Sequence, residues 1–506
     1  MTTPAPAPDP APTSTPTGAA PISSRARTIA VTVLFLATFM DLLDTTIVNV
    51  ALPSIQTDLE ASSSQLEWIV SGYVLAFAVV LITTGRLGDI YGRKRVFLIG
   101  VAGFTLASAT AGVAPTADVL VISRLVQGLF AATMVPQVLS IIQVLYAPRE
   151  RAGVLGAFGA VTGTAAVAGP LLGGVLTTYD VLGLEWRSIF VINIPIGIML
   201  LIAGSILIPE SHARERVRLD LRGAAFISVA LFLAVFALIE GRPEGWPAWI
   251  WAMLSVSVVL LVVFVVGQRR LEAAEGEPLV PPTLFRDRGF SAGMVTAFAF
   301  FGSIGAFFFV IVIYLQIGLG FTPIGAALTT LPFSIGAFLA SGASVPLVAK
   351  LGKGLVFVGL VAFATAVAWT GQSVAHHGDA LGKADLIGPM LLGGAGLALA
   401  AVPLLDVALA NIDVRFAGAA SGVFGTFQQV GAALLLAVVG VVFFETAGAT
   451  FSPAGLRDAL LASLWVPGAS LGVAAIASLL LPSAAAVRRH KELAEELELA
   501  AVTDIG

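Results

Sequence analysis

The chain contains no cysteine, which excludes disulfides and thiolate metal sites and leaves its redox compartment open. Histidine is nearly missing too. Four are present and they form no cluster, which argues against zinc or haem. Charge is equally scarce: 11% of the 506 residues are charged, against about 25% in ordinary soluble domains. No Walker loop occurs, so direct drive by ATP is not expected. Nothing in the sequence supports an enzyme or a nucleic-acid partner. Lysine is rare beside arginine, 5 against 22, and Ala and Gly are heavily used, as expected of a GC-rich bacterial genome. The first 24 residues carry no Lys or Arg. They therefore lack the basic n-region of a signal peptide and read as part of a disordered tail over 1–27.

What is present is apolar length. Hydrophobic residues make up 57% of the chain, mean hydropathy is +0.96, and the apolar residues fall in blocks long enough to cross a bilayer. Fourteen such spans are predicted, from 28–52 through 458–481. The distribution of positive charge tests the count, because cytoplasmic loops carry the excess of Lys and Arg. With the N-terminus inside, 22 basic residues lie in inside segments and 4 in outside loops (Arg187, Arg242, Lys383 and Arg457). Only Arg124 remains, within a span. One miscounted helix would invert every later loop, so both termini are expected in the cytoplasm.

Two echoes suggest an internal repeat. GVLGAFGAV (153–161) in the fifth span matches GVFGTFQQV (422–430) in the thirteenth, and GRKRVF (92–97) is fainter against GKGLVF (352–357). Both set helices 1–6 against helices 9–14 and leave two helices as an insert. The expected plan is all-α and 6+2+6: a bundle over 28–208, an insert with its linkers over 209–289, a second bundle over 290–481, and a cytoplasmic tail over 482–506.

The costliest residues point to a site. Asp41 and Asp44 lie in the first span, where a charged Asp at the bilayer centre costs roughly 2.5–3.5 kcal/mol on insertion scales. Three positions apart, they share one helix face. Two neighbouring carboxylates in a low dielectric resist double ionisation, so the pair can hold one proton and exchange it for a cationic or polar substrate. Arg124 enters the fourth span from outside, about 9 Å deep at 1.5 Å per residue, and Asp44 lies about 12 Å below the same edge. That similar depth allows contact between them. The pair is read either as a structural ion pair or as part of proton coupling, and Gln127 adds a polar group one turn on.

Between the second and third spans stands GRLGDIYGRKR, Gly85 to Arg95. A basic loop needs only its arginines; Gly85, Gly88, Asp89 and Gly92 suggest close packing, a tight turn and a charge-assisted latch to Arg93. In the fifth span, Gly169-Pro170 with Gly173-Gly174 removes side-chain bulk and one backbone donor, giving a kinked, smooth face for a neighbouring helix.

These stretches resemble the major facilitator superfamily. GRLGDIYGRKR is similar to its loop signature, with Gly88 where Ala is usual and Ile90 where Arg is usual. The second departure removes one expected charge partner. RLVQG (124–128) resembles a fourth-helix motif associated with proton transfer. AVAGPLLGG (166–174) resembles the fifth-helix antiporter motif, with Ala165 where Gly is common. LDTTIVNVALP (43–53) and WRSIFVINIPIG (186–197) resemble signatures of the fourteen-helix drug:proton antiporters.

The resemblance implies a monomeric, proton-coupled exporter of lipophilic or cationic compounds in the bacterial inner membrane, with protons, a small molecule and lipid as partners. No cofactor is expected; the proton gradient is the energy source. It implies Asp44 as the proton carrier, with Asp41 tuning it or meeting substrate. Trp68, Tyr73, Gln127, Asp406 and Gln428 are the further candidates for a substrate cavity between the two rocking halves. Asp406 and Glu445 are also candidates for a second proton or cation site; both sit near interfaces, where ordinary solvation is the preferred reading for Glu445 and an equal alternative for Asp406. Phe300, Phe301 and Phe307–Phe309 offer, with Trp68 and Tyr73, an aromatic wall for flat amphipathic substrates, though most of these Phe read as lipid-facing bulk; Trp246, Trp249 and Trp251 read as an interfacial belt. An exporter of an endogenous secondary metabolite, a nutrient importer of the same fold, and a membrane sensor on a transporter scaffold remain open alternatives.

Overall fold

The computed structural model describes residues 24–146, 148–180, 183–211, 220–412, 417–448 and 452–485. Most of both expected tails lies outside them. The described residues form helices and no strands.

The helices are labelled here by span. The first six are α1 Ser24–Leu59, α2 Ser63–Tyr91, α3 Arg93–Gly112, α4 Ala117–Leu145, α5 Pro148–Thr178 and α6 Glu185–Leu207. The insert is α7 Leu221–Gly241 and α8 Ala248–Ala273, and the second set opens with α9 Arg288–Ile313, α10 Pro323–Leu351 and α11 Lys353–His377. It closes with α12 Ile387–Leu409, α13 Ala417–Ala447 and α14 Pro453–Ser478. Thirteen of these are long and apolar enough to span by themselves, while α5 contributes a shorter apolar stretch, Ala168–Thr178, to a helix of 31 residues.

Local chemistry explains the helix ends. Ser62 and Gln65 form a capping box that starts α2, and Thr116, Asp287, Thr322 and Ser452 cap α4, α9, α10 and α14 through their side chains. The α2–α3 and α10–α11 turns each pass through a glycine with positive φ, Gly92 at 101° and Gly352 at 52°. The faint sequence echo thus corresponds to two equivalent tight turns.

α1 runs unbroken through both aspartates and past Pro53 to Leu59, seven residues beyond the predicted boundary at 52. A proline inside a membrane helix costs one backbone bond, which neighbouring helices and side chains can offset. α6 behaves differently. It is interrupted at Ile192, with helical segments Ser188–Val191 and Asn193–Leu207 on either side. Pro195 has no N–H to donate to the carbonyl of Val191, so the regular ladder fails there.

Packing repeats at an offset of eight helices. α1 packs on α5 and α6, α2 on α4, and α3 on α4 and α6; α9 packs on α13 and α14, α10 on α12, and α11 on α12 and α14. The two sets then meet through α5 against α10 and α2 against α13. In the insert, Leu231, Val235 and Ile239 of α7 join the apolar core formed by the first set and α13. α8 lies outermost, with 17% of its apolar window buried against 72% for α9.

The phenylalanines of α9 depart from the lipid-facing reading. Phe300, Phe307 and Phe309 are fully buried, and Phe300 and Phe307 meet Phe363 edge-on. α9 packs against α12, α13 and α14, which cover much of its surface. Trp249 and Trp251 are exposed near the start of α8, consistent with a belt, while Trp246 stacks on Trp251 at 5.5 Å.

Candidate functional site

One end of the bundle carries Arg93, Lys94, Arg95, Arg269, Arg270, Lys350 and Lys353 and is called the basic end. About halfway along α1, Asp44 is completely buried. Its Oδ2 accepts from Arg124 on α4 at 2.5 Å, and its Oδ1 accepts from Gln127 at 2.8 Å and from Asn193 on α6 at 2.7 Å. Three donors leave the carboxylate no orphan oxygen. Arg124, 1% exposed, also donates to Gln127 Oε1 at 2.5 Å and to the carbonyl of Ile69 at 3.1 Å. Ser108 on α3 accepts from Gln127 at 2.7 Å and from Asn193 at 3.2 Å. Five helices therefore converge on one ion pair.

The contact anticipated from equal depth is present. Its environment shows what the pair requires. Burying two charges costs several kcal/mol per ion, and the cost is met only with good geometry and further hydrogen bonds. Gln127, Asn193, Ser108 and the Ile69 carbonyl supply those bonds.

Asp41 lies one turn nearer the basic end and is 6% exposed. Its Oδ1 accepts from the Tyr73 hydroxyl at 2.5 Å. The Tyr73 ring lies 4.2 Å from the Arg124 guanidinium carbon, a cation–π contact. Tyr73 thus touches both halves of the site, holding Asp41 by its hydroxyl and Arg124 by its face.

Other candidates lie elsewhere. Trp68 turns away from Asp41: its Nε1 donates to Glu240 at 2.8 Å and its ring meets Phe232 and Phe236, all on α7. Five residues separate Trp68 from Tyr73, about 140° around a helix at 3.6 residues per turn. Asp406 is exposed near the basic end of α12 and Gln428 half-buried on α13, and neither belongs to the Asp44 network. Glu445 is exposed at the far end of α13.

Around the α2–α3 turn, Arg93 donates to Asp89 at 2.9 and 3.1 Å and to the carbonyl of Ser140 on α4 at 3.4 Å. Its backbone N–H donates to Ser211, and Lys94 donates to Glu210 and Ser205 beyond or within α6. These partners all belong to the first helix set. Gly85 lies within α2, and Gly88 packs on the Gln137 side chain of α4. A Cβ on Gly92 would fall on the Glu210 carboxylate.

The Gly-Pro motif of α5 has two faces. Gly169 packs on Thr46 and Gly173 on Ile47, both on α1. Gly174 faces Ile324 and Ala327 at the start of α10, in the other set, while Pro170 is half-buried within the helix. Near it the Ile324 N–H donates to Thr178 Oγ1 at 3.1 Å, and Gln316 donates to the Val50 carbonyl at 2.8 Å. These contacts join the two sets at the end opposite the basic one. No comparable packing joins α4 to α12, which both end at the basic side, among the described residues.

Asn193 and Ser108 escape sequence reasoning, because a neutral polar residue in an apolar run carries little signal. For Asn193 a hint existed in the quoted stretch WRSIFVINIPIG; Ser108 offered none.

The sequence model of the Major Facilitator Superfamily matches residues 34–436. The chain belongs to the major facilitator superfamily. It is a multi-pass membrane transporter with the fourteen-helix form of that fold. It is 39% identical to a probable actinorhodin transporter of Streptomyces coelicolor, over 85% of this chain and 75% of that protein. It is 33% identical to a puromycin resistance protein of Streptomyces alboniger, over 93% of each. Among solved structures, an auto-inhibited POT family peptide transporter superposes with a TM-score of 0.63 at 18% identity, covering 89% of this chain and 96% of that one. At that identity the likeness concerns the fold alone.

Proposed function

We propose that this transporter exports amphipathic organic compounds, drugs or secondary metabolites, across the bacterial cytoplasmic membrane in exchange for protons. The observation that carries the reading is the division of labour between two acids on one face of α1. Asp44 is enclosed and saturated by Arg124, Gln127 and Asn193, while Asp41 keeps some exposure and one donor, Tyr73. The names of the antibiotic transporter and the antibiotic resistance protein support the substrate class.

The basic end is taken as cytoplasmic on the positive-inside rule. With contacts joining the halves at the other end, the conformation reads as inward-facing. In this state Asp44 is an anion paired with Arg124, and Asp41 offers a carboxylate to a cationic or hydrogen-bonding substrate. After the halves rock, a proton from outside reaches Asp44, its pairing with Arg124 loosens, and the change spreads through Tyr73 to Asp41, which releases the substrate. A ligand shifts such an equilibrium only by its differential affinity for the two states; the proton supplies that difference. The exchange works as a monomer and uses no cofactor.

Dye efflux driven by an imposed pH gradient in inverted vesicles tests this. Asp44→Asn is expected to abolish coupling of efflux to the gradient. Coupling that survives this substitution would remove Asp44 as the proton carrier, and gradient-driven accumulation in the opposite direction would favour an importer.

A further inference from the structure

Glu67 lies four residues into α2 from Ser63 and is 1% exposed. Its Oε2 is buried and takes no hydrogen bond among the described residues. The mechanism above does not use it. Two other helices close over it. From α13, Gly440 approaches so closely that a Cβ there would fall on the Glu67 carboxyl. Glu240 of α7 and Arg242, just past its end, lie within Coulombic reach, and Glu240 is already engaged by Trp68. Arg242 Nε is buried and also unpartnered, while its guanidinium carbon lies 5.3 Å from the centre of the Phe444 ring. The free Oε2 and the free Nε do not meet.

A cavity of about 490 Å³ opens beside this seam, lined among others by Ser63, Ser64, Arg242, Phe444 and Glu445. Ser63 and Ser64 are one turn before Glu67 on α2, so the cavity ends within a turn of the carboxyl. Glu445, exposed on α13, is the acid that helix presents to the cavity.

We propose that Glu67 is a second proton-binding site, which takes up a proton when the seam between α2 and α13 closes over it and releases the proton when the seam opens. An ionised carboxylate with an unsatisfied oxygen is disfavoured in such an enclosure, whereas the neutral acid is tolerated. A carboxyl protonated only in the closed state makes closure easier as pH falls. The site is separate from Asp44 and stands whether or not export is coupled to protons.

The cysteine-free chain suits a spin-label test. Val113 and Ala380 are exposed at this same end, one in each helix set. Nitroxides on Val113→Cys and Ala380→Cys, in the full chain in lipid nanodiscs, report closure as a short interspin distance. In the Glu67 parent the short-distance population is expected to be about threefold larger at pH 5 than at pH 8, a modest population shift. Adding Glu67→Gln, which is neutral and nearly isosteric, is expected to give at pH 8 the distribution that the parent shows at pH 5. Glu67→Asp should follow the parent and controls for folding. Coincidence of Glu67→Gln and the parent at pH 8 overturns the proposal. The readout involves no substrate, so it fails or succeeds independently of the efflux assay.

Discussion

The hydroxyl of Tyr73 donates to Asp41 at 2.5 Å while the face of the same ring supports the Arg124 guanidinium at 4.2 Å. One side chain thereby links the carboxyl that retains exposure to the ion pair that is sealed. The two functions can be separated by substitution. Tyr73→Phe keeps the ring but takes away the donor to the buried Asp41 carboxyl, so it should lower the thermal midpoint modestly and efflux of a cationic dye several-fold. Tyr73→Ala also removes the cation–π contact, worth about 0.5–2 kcal/mol, and should lower the midpoint measurably. Equal midpoints for the two variants in a detergent melt would contradict this division.

Asn193 and Asp44 should be energetically coupled. Removing a hydrogen bond to a charged group costs about 1.5–3 kcal/mol, so Asn193→Leu alone should destabilise the protein by that order. In an Asp44→Asn background the same change should cost less, because the charge it served is gone. A double-mutant cycle on unfolding free energy measures the difference. Additivity within about 0.5 kcal/mol would mean that Asn193 acts only by packing.

Arg124 cannot be replaced by lysine without loss. It spends its planar fork on Asp44, Gln127 and the Ile69 carbonyl, and stacks on Tyr73. A lysine ammonium is a point charge that offers neither the fork nor the stacking. Arg124→Lys should therefore reach the membrane yet lose about tenfold or more of pH-driven efflux, equivalent to about 1.4 kcal/mol. Wild-type rates in the same vesicles would show that charge alone suffices.

Gly174 should control closure at the end opposite the basic one. Its face meets Ile324 and Ala327 of α10, so Gly174→Leu wedges the halves apart there. The buried Gln316 side chain reports on this. A single Gln316→Cys should react slowly with a hydrophilic maleimide in the parent and several-fold faster with Gly174→Leu. Unchanged labelling would place the seam elsewhere.

The turn at Gly92 carries φ of 101°, and Glu210 occupies the space a side chain would need. Gly92→Ala should lower stability by more than about 1 kcal/mol, since Ala is strained where φ is positive. Gly352, at φ 52° with Ala484 pressed against it, should respond in the same direction. Thermal melts of both variants check the equivalence of the two turns.

Much of the architecture was legible because its physics is one-dimensional. Apolar length sets the number of crossings, arginine placement implies an orientation, and the cost of a charge in lipid singles out Asp41, Asp44 and Arg124. Depth along two helices, a matter of counting residues, allowed a contact between Asp44 and Arg124, which the structure contains. Rotation about each helix was not countable in that way. Only packing decided that Trp68 faces α7, that Phe300, Phe307 and Phe309 of α9 are buried, and that Asn193 and Ser108 complete the charge network. Glu67 stayed hidden for the same reason. Near the end of a span an acid looks solvated, and it becomes an enclosed carboxyl only when α7 and α13 close over it. Hydropathy records how deep a residue sits, whereas its chemistry depends on which neighbouring helix covers it.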